Sequence, residues 1–150
     1  MKALALLTVV VVLVVWLVWN AWNVFRVVVG ARDGSWRRPM WWTRLCSIAL
    51  FVGAAAWTRG VFAAGLDTRK TCLYTHHVPY DTAYRDAHAD EFRRLFPLHN
   101  KCDAHFDLVP GWVNPTVVAG AVVALAAAAV LLWFATTYVI RLSRKENQSS

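Results

Sequence analysis

The chain contains no Cys-x-x-Cys pair, no glycine-rich phosphate loop, no Gly-x-Ser-x-Gly elbow and no histidine within its long apolar runs. Each absence removes a class of function. Thioredoxin-like or quinone-linked thiol chemistry has little support without paired cysteines. A bis-histidine haem between helices is excluded, and so are the usual nucleotide cradle and serine nucleophile. Acidic residues are also scarce. Of the nine, seven fall between Asp67 and Pro110, which leaves the apolar runs almost free of charge. Such runs do not line a polar transport pathway without oligomerising.

What the chain does have is apolar sequence. It makes up 58% of 150 residues, against about 45–50% in soluble domains. The excess lies in unbroken stretches, the mark of a membrane protein rather than of a large soluble core. The formal charge of +7 is unevenly placed. Arg26 to Arg44 carries five arginines against Asp33. The tail after Ile140 carries Arg141, Arg144 and Lys145 against Glu146. The Asp67–Pro110 segment is slightly acidic. Basic residues that flank apolar spans set membrane orientation, whereas a nucleic-acid binder gathers them on a folded surface. No nucleic-acid partner is expected. The bias to arginine over lysine, with abundant Ala, Val and Trp, has the composition of a GC-rich bacterial genome.

The chain therefore reads as an all-α membrane protein with three transmembrane helices. A first helix over 1–25 contains the charge-free run Leu4–Phe25, whose 22 residues span roughly 33 Å, enough for a hydrocarbon core of about 30 Å. Lys2 before it raises a cleaved signal peptide, which would fall within residues 1–31. The run is too long for a signal core and lacks a small-x-small site, so an uncleaved helix is expected. Asn20 and Asn23 lie near its end, where they either mark the boundary or bond to a neighbouring helix. A basic loop follows over 26–40. Its tryptophans lie at the membrane surface, and its arginines either orient the chain or grip anionic headgroups. The second span, 41–66, contains Arg59. If the helix starts near Leu45, Arg59 is embedded in hydrocarbon. If it starts at Met40 or Trp41, Arg59 snorkels to the far surface, and this register is preferred because no charge is stranded. The third span, 111–140, opens on Asn114-Pro115, read as a cap and a first-turn proline. Gly120, Ala124 and Ala126–Ala129 form a surface suited to close packing. The tail is 141–150. Positive-inside logic puts the 26–40 loop and the C-terminus in the cytoplasm, with Met1 and 67–110 outside the inner membrane.

The extracytoplasmic loop, 67–110, should fold, because 44 unstructured residues are unusual in a compact domain. Tyr80, Tyr84, Phe92 and Phe96 share one helical face, which predicts an amphipathic helix over 81–96 capped by Asp81 and stopped by Pro97. Arg85 is assigned to the opposite, solvated face. Cys72 and Cys102 flank this helix on the oxidising side, while Cys46 lies within a span, so a disulfide is expected to close the loop into a hairpin. Two other readings compete. Cys72, His76 and His77 with His99, Cys102 and His105 form a loose Cys/His set for Zn(II) or Cu(I), or the histidines sense pH.

No catalytic residues and no cofactor are expected. The leading reading is a non-enzymatic accessory or interaction subunit. Its partners are the lipid bilayer and another membrane or envelope protein, or a second copy of itself. Tyr80, Tyr84, Phe92 and Phe96 are offered as the interaction surface. The alternatives are a metal- or pH-responsive protein and a non-catalytic subunit of a membrane enzyme complex.

Overall fold

The computed structural model describes residues 2–149, and side chains over 7–144. Met1, placed outside above, and the side chains of Lys2, Lys145 and Glu146 fall outside the described residues. Helix α1 (Lys2–Arg32) is followed by a 3-10 turn, Ser35–Arg37, and by α2 (Pro39–Val61). Three short helices come next: α3 (Thr68–Lys70), which runs into a π-helical turn at Thr71–Thr75, α4 (Thr82–Ala87) and α5 (Ala89–Phe92). Helix α6 (Val113–Ser149) ends the chain. Among the described residues, extended pairing is limited to one antiparallel bridge, Lys101 with Asp107.

Three stretches are long and apolar enough to cross a membrane. They are Leu7–Arg32, Pro39–Val61 and Val113–Arg144, with mean hydropathies of 2.0, 1.2 and 2.6. Their large apolar side chains face outward, as Val12 and Leu125 do. That is the reverse of a soluble helix and is what contact with lipid requires. The protein is a small multi-pass membrane protein in contact with the bilayer.

Helices α1 and α6 run further than their charge-free windows, whereas α2 ends at Val61, short of the expected Leu66. Helix α1 continues past Phe25 to Arg32. It stops where Gly34 adopts a left-handed φ of 79° and the Asp33 carboxylate accepts from the Ser35 amide at 2.9 Å. Helix α2 begins with Pro39, which needs no amide donor in a first turn. Arg59 therefore lies in the last turn of α2, with its side chain exposed. Helix α6 likewise continues past Ile140 through Arg141 and Arg144.

The chain divides into two compact units, residues 1–51 with 121–150, and residues 52–120. In the first, the Trp41 indole crosses to α1 and donates to the Val27 carbonyl at 3.0 Å. Trp16 meets Phe51 edge-on at 4.8 Å. Asn20 and Asn23 are buried rather than interfacial. The Asn20 amide donates to the Trp16 carbonyl at 2.8 Å, and its oxygen accepts from the Ser47 hydroxyl at 3.0 Å. The Asn23 amide has neither donor nor acceptor satisfied. Ala124 and Ala127 of α6 are buried, and free Cys46 points its thiol at the Ala124 carbonyl, 3.8 Å away. The small residues of α6 thus serve packing inside the chain.

In the second unit, two apolar clusters hold the loop to the helix ends. One gathers Ala64, Cys72, Cys102 and Leu108, flanked by Val78, Tyr80 and Phe106. The other gathers Leu98, Val109 and Val113, with Ala63 touching both. Asn114 does not cap α6. Its side-chain oxygen accepts from the Leu98 amide at 2.9 Å and its nitrogen donates to the Leu98 carbonyl at 3.0 Å. Leu98 follows Pro97 in irregular chain, so these two backbone groups have no helical partner, and the amide satisfies both.

Candidate functional site

The chemistry-bearing residues gather in the loop, and its framework is covalent. Cys72 and Cys102 form a disulfide with Cα atoms 5.8 Å apart, closing 30 residues of separation. Both cysteines are fully buried. A segment too small to hold itself by burial gains about 3.6 kcal/mol from a ring of this size in the chain-entropy picture. The π-helical turn delivers Cys72 to this core. Its backbone leaves the helix through His77, which sits at a left-handed φ of 54°. Histidine is among the few side chains that visit this region with some frequency.

The strand-like half of the loop is built by aspartates. The Asp103 carboxylate accepts from the His105 and Phe106 amides at 2.8 and 2.9 Å, turning the chain back on itself. The returning chain pairs through Cys102 N–H to the Phe106 carbonyl and Leu108 N–H to the Asn100 carbonyl. One oxygen of Asp107 accepts from the Asn100 and Val109 amides, and the other lies 2.8 Å from His99 Nδ1. Asp107 therefore fixes which ring nitrogen of His99 is occupied and leaves Nε2 to face other partners.

The amphipathic helix expected over 81–96 is divided into α4 and α5. Asp81 caps α4 by accepting from the Tyr84 amide at 2.9 Å. The break falls at His88, whose backbone amide and Nδ1 both engage the Tyr84 carbonyl. Its ring stacks on Tyr84 at 4.2 Å. The break changes the direction of α5, which brings Phe92 against Arg85 in α4, so that Arg85 is half-buried rather than solvated. Its guanidinium lies over Phe92 and Tyr80, at 4.6 and 5.4 Å from the ring centroids. It donates to the Asn100 side-chain oxygen at 2.9 Å and to the Lys101 carbonyl. Three of the four aromatics offered as an interaction surface, Tyr80, Tyr84 and Phe92, are thus half-buried around Arg85 and His88. Phe96 is exposed, as are Leu66, Tyr74 and Leu95. Lys101 reaches Glu91 at 3.5 Å and the Tyr84 hydroxyl at 3.5 Å. Desolvation opposes its charge, but these two partners outweigh it and raise its pKa above the usual 10.5.

The Cys/His metal set is not assembled. Both loop thiols are spent in the disulfide. His76 packs against Phe106 with ring centroids 5.2 Å apart, and His77 and His105 are exposed. Among the described residues, no three His, Cys, Asp or Glu side chains are gathered closely enough to hold a metal ion. His88 and His99 instead line an open cavity of about 350 Å³ with Asp90, Glu91 and Arg94. Of the residues that build the site, sequence reasoning misassigned Arg85 to a solvated face and Asn114 to a helix cap, and it overlooked Asn100 and Asp107. Only the paired aspartates of the Asp103–Asp107 segment carried a local turn signal. Compared with protein families, with curated proteins and with solved structures, the chain matches none.

Proposed function

We propose that this is a non-enzymatic accessory protein of a bacterial inner membrane, acting through its disulfide-closed loop on another membrane or envelope protein. The loop lies outside the cell membrane in this reading, with the Arg26–Arg44 segment and the C-terminus in the cytoplasm. Charge asymmetry and the disulfide both support that orientation. Arg59 then snorkels to the outer surface from the last turn of α2.

One observation carries the proposal. The loop is braced from within by a disulfide, a caged arginine and an amide clip, yet leaves Leu66, Tyr74, Leu95 and Phe96 outside that framework, with Tyr74 and Leu95 each 75% exposed. Rigid presentation of apolar side chains is what lowers the entropic cost of docking a partner. In the refined surface, Phe96 stays, while Tyr80, Tyr84 and Phe92 serve to build the module. The test is photo-crosslinking from positions 74 and 95 of the full chain in native membranes. One discrete protein adduct is expected from each position, and the adduct from position 74 should be lost on Leu95→Ser with Phe96→Ser while the disulfide persists. Lipid adducts alone, matching those from lipid-facing Val122, would remove the proposal.

A second reading, a pH-responsive loop, rests on the His99–Asp107 pair, because the same carboxylate holds the Asn100 and Val109 amides. Protection of these two amides that stays flat between about pH 5 and pH 8, after correction for intrinsic exchange, would eliminate it.

A further inference from the structure

We propose that the first unit carries a binding pocket for a phosphate anion, formed where α1 ends and α2 begins, and that its ligand is the headgroup of an anionic phospholipid. Arg26, Arg38 and Arg44 line a cavity of about 340 Å³ together with Gly30, Ser35 and Trp41. The three arginines come from the last turns of α1, the connecting turn and the first turns of α2. Among the described residues, none of the three guanidinium groups has a carboxylate within ion-pair distance or a hydrogen bond to protein, although the charge of Arg38 is felt by Asp33. Arg26 lies over the Trp22 ring at 5.9 Å, and Arg44 is half-buried. Arg26 and Arg38 are exposed, so all three guanidinium groups can reach a ligand that enters from the cavity mouth. Their planar, forked donors suit phosphate oxygens.

The cavity walls are fixed. The Trp41 indole is pinned by its bond to the Val27 carbonyl. It lies so close to Gly30 that a β-carbon there would come within 2.6 Å of the ring. Trp42 donates to the Trp36 carbonyl at 2.8 Å, which ties the connecting turn to α2. Asp33 also lines the cavity but is committed to Ser35, whose hydrogen bonds hold its carboxyl below the usual 3.8. One carboxylate against three arginines leaves the cavity positive, as a phosphodiester requires. Exposed Trp36 and Met40 beside it mark the interface depth at which headgroups lie. The same chemistry would accept free phosphate, but a site at this depth meets headgroups at far higher local concentration.

The experiment uses the purified full chain in detergent, with bound lipid counted by native mass spectrometry. One phosphatidylglycerol should be retained in preference to phosphatidylcholine. Arg38→Gln with Arg44→Gln should raise the lipid concentration for half occupancy about 30-fold, or roughly 2 kcal/mol at about 1 kcal/mol per arginine. Removing the same charge from the loop, with Arg69→Gln and Arg94→Gln, should leave retention unchanged. Trp41→Ala, which keeps the net charge at +7, should also weaken retention and serves if the double variant fails to form its disulfide. Displacement of phosphatidylglycerol by millimolar inorganic phosphate would assign the pocket to free phosphate and overturn the lipid assignment. Equal retention of the two lipids, or wild-type retention by the Arg38/Arg44 variant, would overturn the pocket itself.

Discussion

Replacing Arg85 by methionine tests the architecture of the loop most directly. The substitution keeps an unbranched stem of similar reach and removes the charge and every donor. In the structure the guanidinium donates to Asn100 Oδ1 and to the Lys101 carbonyl, and lies over two rings. Hydrogen bonds from a charged donor contribute about 1.5–3 kcal/mol each, and cation–π contacts at accessible sites about 0.5–1 kcal/mol. Arg85 is only half-buried, and methionine retains some packing against Tyr80 and Phe92. The expected loss is therefore about 2 kcal/mol, well below the sum. Because the disulfide holds the loop closed, the loss should appear as local opening rather than global unfolding. Hydrogen exchange at the Cys102 and Leu108 amides, both bonded across the hairpin, reads it. Both should exchange about 30-fold faster in Arg85→Met. Arg85→Lys keeps the charge but not the fork, and should recover part of the protection. Wild-type exchange in Arg85→Met would refute the caged arginine and return this residue to a solvated face.

Three further outcomes follow from the same geometry. Alkylation in denaturant should add one label per chain without reduction, at Cys46, and three after it; losing the bridge through Cys72→Ala with Cys102→Ala should cost the loop about 3–4 kcal/mol, and three labels without reduction would refute the pairing. Asn114→Leu leaves the Leu98 amide and carbonyl without partners and should destabilise the second unit by about 1–3 kcal/mol, read as faster exchange at Leu98 and contradicted by unchanged exchange there. Asn23→Leu replaces a buried amide with no hydrogen bond and should raise the thermal unfolding temperature by removing a desolvation cost of about 1–3 kcal/mol, so a lowered temperature would show that the amide has a partner in the membrane.

The spans were legible because hydrocarbon imposes a long, charge-free window that composition alone reports. Their true ends were less so. Nothing in Arg26–Arg32 forbids a helix, and the stop at Asp33–Gly34 depends on a left-handed glycine and a carboxylate turned back on its own chain. The disulfide was legible from cysteine parity across the membrane. Arg85 was not, because the periodicity of 80–96 assumes one unbroken helix, and the break at His88 brings Phe92 over a side chain that an unbroken helix leaves in solvent. Asn114 was misread for a different reason. An asparagine before a proline has the local form of a cap, and its actual partner, Leu98, lies 16 positions away. A local pattern reports local competition for hydrogen bonds and does not report a distant backbone group left without one.

The cluster of Leu98, Val109 and Val113 ties biogenesis to topology. Val113 is the first residue of α6 and is fully buried against the loop. A nascent chain that has emerged as far as Cys102 already holds both cysteines of the ring, but neither Val109 nor Val113 to complete this cluster, nor Asn114 to hold Leu98. Bridge formation can therefore precede docking, whereas docking waits until α6 has been synthesised and its first turn placed at the membrane surface. A chain without the start of α6 could still close the ring, but it would leave Leu98 and Val109 without Val113 and the Leu98 backbone without Asn114.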